Sequence, residues 1–142
     1  MTVYLDTSVV IPTLFEESAS EDVDSFLRAN HEERLISDFA CAEVSSAVSR
    51  LVRMGFLAVD DATARLTDFD TWRVTETSMP ATSSVDVRLA EMFVRRFALM
   101  LRAPDALHVA ICQRLDATLV TLDRRLAEAA GALGLRVPVP RR

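Results

Sequence analysis

Four carboxylates define the chemistry open to this sequence. Asp6 follows Val3-Tyr4-Leu5, Glu43 lies within Cys41-Ala42-Glu43-Val44-Ser45, Asp105 follows Pro104, and Asp123 follows the run Ala117 to Leu122. Singly, each has a structural reading. Asp6 and Asp123 suit helix N-caps, and Asp105 suits a first-turn charge favoured by the helix dipole. Glu43 is flanked by small residues, where a helix packs closely, and a plain surface position is its alternative reading. Together the four form an acidic set without a basic partner. Carboxylates a few ångströms apart raise one another's pKa and stay ionised together only beside a cation. An all-oxygen donor set selects a hard metal, Mg2+ or Mn2+. Asp38 reads as a helix cap and stands outside the set.

The elements that must position these acids follow from the hydrophobic pattern. Val3-Tyr4-Leu5 predicts a strand, and Val9 to Phe15 a helix after Asp6-Thr7-Ser8. Ser18-Ala19-Ser20-Glu21 matches a capping box for a helix to about Asn30. Arg34 to Ser37 predicts a second strand, and Asp38 caps a helix to about Met54, ended by Gly55. A helix over Asp60 to Trp72 comes next, then a weakly alternating run, Arg73 to Met79, that predicts a strand. Ser83 or Ser84 opens a helix from Val85 to about Met100, and Pro104 opens another to about Leu115. Ala117 to Leu122 is the clearest strand. Asp123 then starts a helix to about Ala130, closed by Gly131 or Gly134, and Arg136 to Val139 predicts a last edge strand. Short apolar strands alternating with helices imply a parallel sheet covered on both faces, so the fold class is α/β. In such sheets ligands bind beyond the carboxyl ends of the strands, where the acids fall.

Composition narrows the options. The 142 residues suit one domain over 1–142, and three glycines are too few for a sandwich of many short strands. All 16 basic residues are arginine, which excludes Schiff-base enzymes, P-loop NTPases and lysine-dependent receiver domains. The net charge of −5 argues against a nonspecific duplex binder. Cys41 and Cys112 read as buried free thiols, and with His31 and His108 they complete no zinc spacing. His108 reads as a packed or partly exposed histidine rather than a base. No signal peptide or membrane-spanning run is present, so a cytoplasmic protein is expected.

The chain resembles PIN-domain ribonucleases, specifically the VapC-like toxins of prokaryotic toxin–antitoxin pairs. The matching segments are Leu5-Asp6-Thr7-Ser8, Ala42-Glu43-Val44, Pro104-Asp105-Ala106-Leu107-His108-Val109-Ala110, and Leu119-Val120-Thr121-Leu122-Asp123-Arg124-Arg125-Leu126. Their order and separations are those of the family, over nearly the whole chain. Asp116 departs from the family, in which many members carry a small residue or Gly before the last strand. The resemblance implies a three-layer α/β/α PIN-like domain with a short central parallel sheet. It implies a metal-dependent endoribonuclease cleaving phosphodiester bonds, with Asp6, Glu43, Asp105 and Asp123 as its acidic quartet. Asp6 and Asp105 are the expected direct ligands of Mg2+ or Mn2+, while Glu43 and Asp123 bind directly or through water. Ser8 and Thr121 match positions whose hydroxyls support the site.

With the four acids set aside, the remaining formal charge is close to zero. Arg102, Arg124 and Arg125 are then candidates for RNA phosphates. The resemblance also implies a cognate antitoxin, often with an arginine or lysine reaching into the acidic pocket, and a homodimer. The alternative is a catalytically silent PIN-fold module whose acidic pocket binds a basic peptide. All four acids are present, which argues against it. A dehalogenase-type phosphatase requires a second Asp two residues after the nucleophile, and Thr7-Ser8 follow Asp6 instead. An unusually apolar stretch, Val85 to Leu101, exceeds what one buried helix face accounts for and predicts an interface.

Overall fold

A computed structural model describes residues 2–138 and 140. The order is β1 (Thr2–Leu5), α1 (Thr7–Leu14), α2 (Ser20–Ala29), β2 (Glu33–Leu35), α3 (Asp38–Arg53), α4 (Val59–Glu76) and α5 (Ser84–Val94), followed by a short 3₁₀ turn at Phe97–Leu99, then α6 (Ala103–Leu115), β3 (Thr118–Val120) and α7 (Arg124–Ala132). The strands form one parallel sheet in the order β2-β1-β3. Strand β1 is central, with Tyr4 paired to Leu35 on one side and to Leu119 on the other.

Alternation along the strands divides the core in two, because successive side chains leave opposite faces of a sheet. Tyr4, Leu35 and Leu119 point into one cluster with Phe93, Val109, Ala110 and Leu126. Val3, Leu5 and Val120 point into the other with Val9, Val44 and Phe69. The sheet is thus covered on both faces, as its continuous apolar strands require. Burying each Leu or Val of this kind stabilises the fold by about 1.5–3 kcal/mol. All three strand C-termini point to one edge, and the loops there deliver Asp6, Ser37 and Thr121.

The helix boundaries differ from expectation in several places. The Ser18–Glu21 capping box is not made: α2 begins at Ser20, whose hydroxyl instead accepts from Glu17 N at 2.8 Å and donates to Phe15 O at 2.9 Å. Asp38 is the first residue of α3, and the cap is Ser37, which accepts from Ala40 N at 3.0 Å. Helix α4 absorbs Arg73 to Glu76, because Phe69 and Trp72 anchor it to the core. Thr75 and Thr77 bond back to Thr71 O and Arg73 O. Of the strand predicted there, a single parallel bridge between Ser78 and Leu35 remains. Helix α5 stops at Val94 rather than Met100, since the chain turns to bring Leu99 and Leu101 onto the core beside α6. Among described residues 136–138 form no strand, although Arg136 O accepts from Leu119 N at 3.0 Å; Val139 lies outside the described residues. Asp116 sits in the left-handed region at φ 51°, the conformation for which Gly is favoured and Asp tolerated.

Candidate active site

Asp6 sits where β1 passes into α1. Its backbone N–H donates to Val120 O at 3.2 Å, which extends the β1–β3 pairing by one residue, and its own carbonyl starts the helix by accepting from Val9 N at 3.1 Å. It occupies the N-cap position, yet its side chain makes no capping bond. The carboxylate turns instead toward β3. Oδ1 accepts from Ser8 Oγ at 2.6 Å and Oδ2 from Thr121 Oγ1 at 2.7 Å. The same hydroxyls accept from Leu122 N and Asp123 N, so they tie the ends of β1 and β3 together. Ser8 and Thr121 thus brace the Asp6 carboxylate from two sides. Asp6 is only 4% exposed. Burial pushes its carboxyl above the usual carboxylate range, against the pull of the two hydroxyls.

Glu43 projects from the second turn of α3, a helix fixed by the Ser37 cap and by buried Ala40, Cys41, Val44 and Val48. Its Oε1 accepts from Thr7 Oγ1 at 2.9 Å and pairs with His108 Nε2. Burial acts to raise its carboxyl, but these bonds outweigh it and leave Glu43 below the ordinary value. His108 is buried, as one expected reading had it, and bonds through Nδ1 to the Tyr4 hydroxyl at 2.6 Å. Tyr4 also bonds to Ser37 Oγ at 2.7 Å. The sequence reading did not find this chain. The one local signal was Asp105-Ala106-Leu107-His108, whose i,i+3 spacing sets both side chains on one face of α6.

Asp105 stands in the first turn of α6, behind Pro104. Burial pushes its carboxyl up, and the charge of Asp123 adds to that; the charge of Arg102 opposes it, and that of Glu43 works in the same sense as Asp123. Asp105, Asp123, Glu43 and Arg102 thus share one electrostatic neighbourhood. Asp123 is exposed and caps α7, accepting from Leu126 N at 3.2 Å through Oδ1. Its cap reading holds, with one oxygen committed to that bond. Arg124 lines a recess of about 460 Å³ with Thr121, Leu122 and Asp123. Arg125 is exposed on α7, and no described contact ties it to the acids.

The donor chemistry fits a hard divalent cation. The donors are oxygens, Asp6 and Asp105 are held toward protonation by burial, and neither they nor Asp123 form an ion pair among the described residues. No group of three or more His, Cys, Asp or Glu side chains among those residues is arranged to hold a metal ion. No described helix is long and apolar enough to cross a membrane.

Comparison with known proteins gives concordant results. A family model described as PIN domain matches residues 3–132. Ribonuclease VapC46 of Mycobacterium tuberculosis is 31% identical over 141 residues, covering 97% of each chain. The crystal structure of FitAcB from Neisseria gonorrhoeae superposes with a TM-score of 0.77 at 19% identity, covering 97% of each chain. A toxin–antitoxin complex from Klebsiella pneumoniae superposes with a TM-score of 0.64 at 18% identity, covering 99% of this chain and 98% of that one.

Proposed function

The chain belongs to the PIN domain family, and from that premise we propose that it is a metal-dependent endoribonuclease serving as the toxin of a toxin–antitoxin pair. The observation that carries the reading is Asp6. A carboxylate buried at the end of the central strand, braced by two hydroxyls and raised by burial, is costly for a structural cap and suited to a cation ligand. The 31% identity to a ribonuclease over nearly the full chain supports the same substrate class.

Asp6 and Asp105 would hold Mg2+ or Mn2+, with Glu43 and Asp123 joining directly or through water. The chemistry a divalent cation supplies in such a site is polarisation of a phosphodiester and offset of its developing charge. Ser8 and Thr121 keep the Asp6 carboxylate in one orientation. One carboxylate of the set takes the proton of the attacking water. Arg102 and Arg124, both exposed beside the acids, bind flanking phosphates, and Arg125 extends this basic rim along α7.

A groove of about 620 Å³ adjoins Glu43, lined by Thr7, Ile11, Ala47, Leu51, Met54 and Phe56, among others. It suits an apolar segment of a cognate antitoxin, from which a basic side chain reaches the acids. The deciding experiment is cleavage of single-stranded or looped RNA by purified, antitoxin-free protein. Activity is expected with Mg2+ or Mn2+ and its loss with EDTA; full activity in EDTA overturns the metal-dependent reading.

A further inference from the structure

The Ser37–Tyr4–His108 chain ends on a carboxylate of the site, and its directions can be derived. An ionised carboxylate only accepts, so the hydrogen between His108 and Glu43 lies on Nε2. Ser37 Oγ accepts from Ala40 N and is fully buried, so its own hydrogen goes to the Tyr4 oxygen. The Tyr4 hydrogen then goes to His108 Nδ1. This assignment uses each hydroxyl hydrogen once. The reverse direction leaves the Ser37 hydrogen with no acceptor among the described bonds. The elements joined are distant in sequence: β1 supplies Tyr4, the β2–α3 junction Ser37, α6 His108 and α3 Glu43.

Both hydrogen bonds to Glu43, from Thr7 and from His108, fall on Oε1. Oε2 takes neither. Phe39 flanks the imidazole with ring centroids 5.5 Å apart, and Tyr4 flanks it at 5.6 Å, so the ring has little freedom to turn.

We propose that Tyr4 and His108 are positioning residues for Glu43: the Tyr4 hydroxyl fixes His108 in its Nε2–H tautomer, and His108 with Thr7 anchors Oε1 so that Oε2 is the oxygen offered to a divalent cation. This rests on the metal-binding reading above. Groups that orient metal-binding carboxylates in this way are commonly worth about 10- to 100-fold in metal affinity.

Mn2+ binding, measured by calorimetry or electron paramagnetic resonance without RNA, is the test. His108→Asn places its amide near Nδ1 and loses the donor to Glu43; His108→Gln places an amide N–H near Nε2 and keeps it. The expected result is a loss of about 10- to 100-fold in Mn2+ affinity for His108→Asn, with most of the affinity retained in His108→Gln. Tyr4→Phe is expected to weaken binding in the wild-type background and to add nothing in Glu43→Gln. Equal losses in both His108 variants, or an undiminished Tyr4→Phe effect in Glu43→Gln, would show a packing role and overturn the proposal. The variants are not the sole route. The chain has two histidines, so long-range 15N–1H spectra of the metal-free wild type, assigned with His31→Gln, read the His108 tautomer directly. The Nε2–H form is expected, and the Nδ1–H form overturns the proposal. Wild-type protein that binds no Mn2+ sinks the metal-binding reading and this one with it; normal wild-type binding with an indifferent His108→Asn sinks this one alone.

Discussion

The Asp6 carboxylate has both oxygens occupied by hydroxyls and almost no exposure to solvent. Its folded-state pKa is raised, so Asp6 contributes stability below its unfolded value that is lost as pH rises through the folded value. Asp6→Asn removes that loss. In metal-free protein the variant is expected to melt higher than wild type at neutral pH. The difference should vanish below about pH 4, where the acid is protonated in both states. RNA cleavage should fall by at least ~10²-fold, because the charge that holds the cation is gone. Parallel melting and cleavage assays check both halves. An active Asp6→Asn would misplace the site, and a lower neutral-pH melting point would contradict the burial argument. Asp38→Asn is the matching control. Asp38 accepts from Phe39 N and from both Thr82 donors, outside the acidic set, so cleavage should stay at the wild-type rate. Asp6, Asp105 and Asp123 were legible in sequence because a strand end or a proline announces each. Tyr4 and His108 were not, since 104 positions separate them and only the fold joins them.

Helices α5 and α6 are joined at a second buried acid. Asp86 is fully buried, closes the capping box of α5 by accepting from Ser83 N at 2.9 Å, and takes Arg114 Nε at 2.7 Å from α6. Burial pushes its carboxyl up, but Arg114 outweighs that and leaves it below the usual range. Its stabilisation is therefore present above the unfolded carboxylate value, about 3.9, and is lost as pH falls through the folded one. Arg114→Ala leaves a buried charge unpaired and should cost about 2–4 kcal/mol at neutral pH, the partial exposure of Arg114 tempering the figure. In chemical denaturation from neutral pH downward, the gap between variant and wild type should narrow on the acid side. A gap that widens there would reverse the assignment. This element also shows why local patterns misplace caps. Ser18-Ala-Ser-Glu21 and Ser83-Ser-Val-Asp86 carry the same signature, yet at the first the Ser20 hydroxyl bonds Glu17 N and Phe15 O and the helix starts at Ser20, while at the second Arg114 from α6 holds Asp86 in place. The strand predicted at Arg73 to Met79 fails for a related reason: its β-branched alternation is local, whereas the packing of Phe69 and Trp72 extends the helix.

At the scale of the molecule, the two core clusters account for the buried halves of the helices and leave part of the apolar content outside. Val85, Val87, Met92, Phe97 and Met100, along α5 and the 3₁₀ turn, are each more than half exposed, Phe97 at 83%. The sequence had shown this excess as an over-long helix. The helix is in fact broken at Val94, and the break turns Leu99 and Leu101 inward while Phe97 and Met100 stay outside. Large apolar side chains in one region usually mark an interface. The Glu43 groove is lined from α1, α3 and the segments that follow them, and none of these exposed residues lines it, so one surface can take a second copy while the other takes an antitoxin. We therefore expect a homodimer through α5 and the 3₁₀ turn. Light scattering of antitoxin-free protein over a dilution series should give twice the 15.7 kDa chain mass at tens of micromolar. Phe97→Asp should shift it to monomer without lowering the melting point of the protomer, because that ring contributes little to the core. A wild-type monomer throughout the series would refute the dimer and leave this surface to the antitoxin as well.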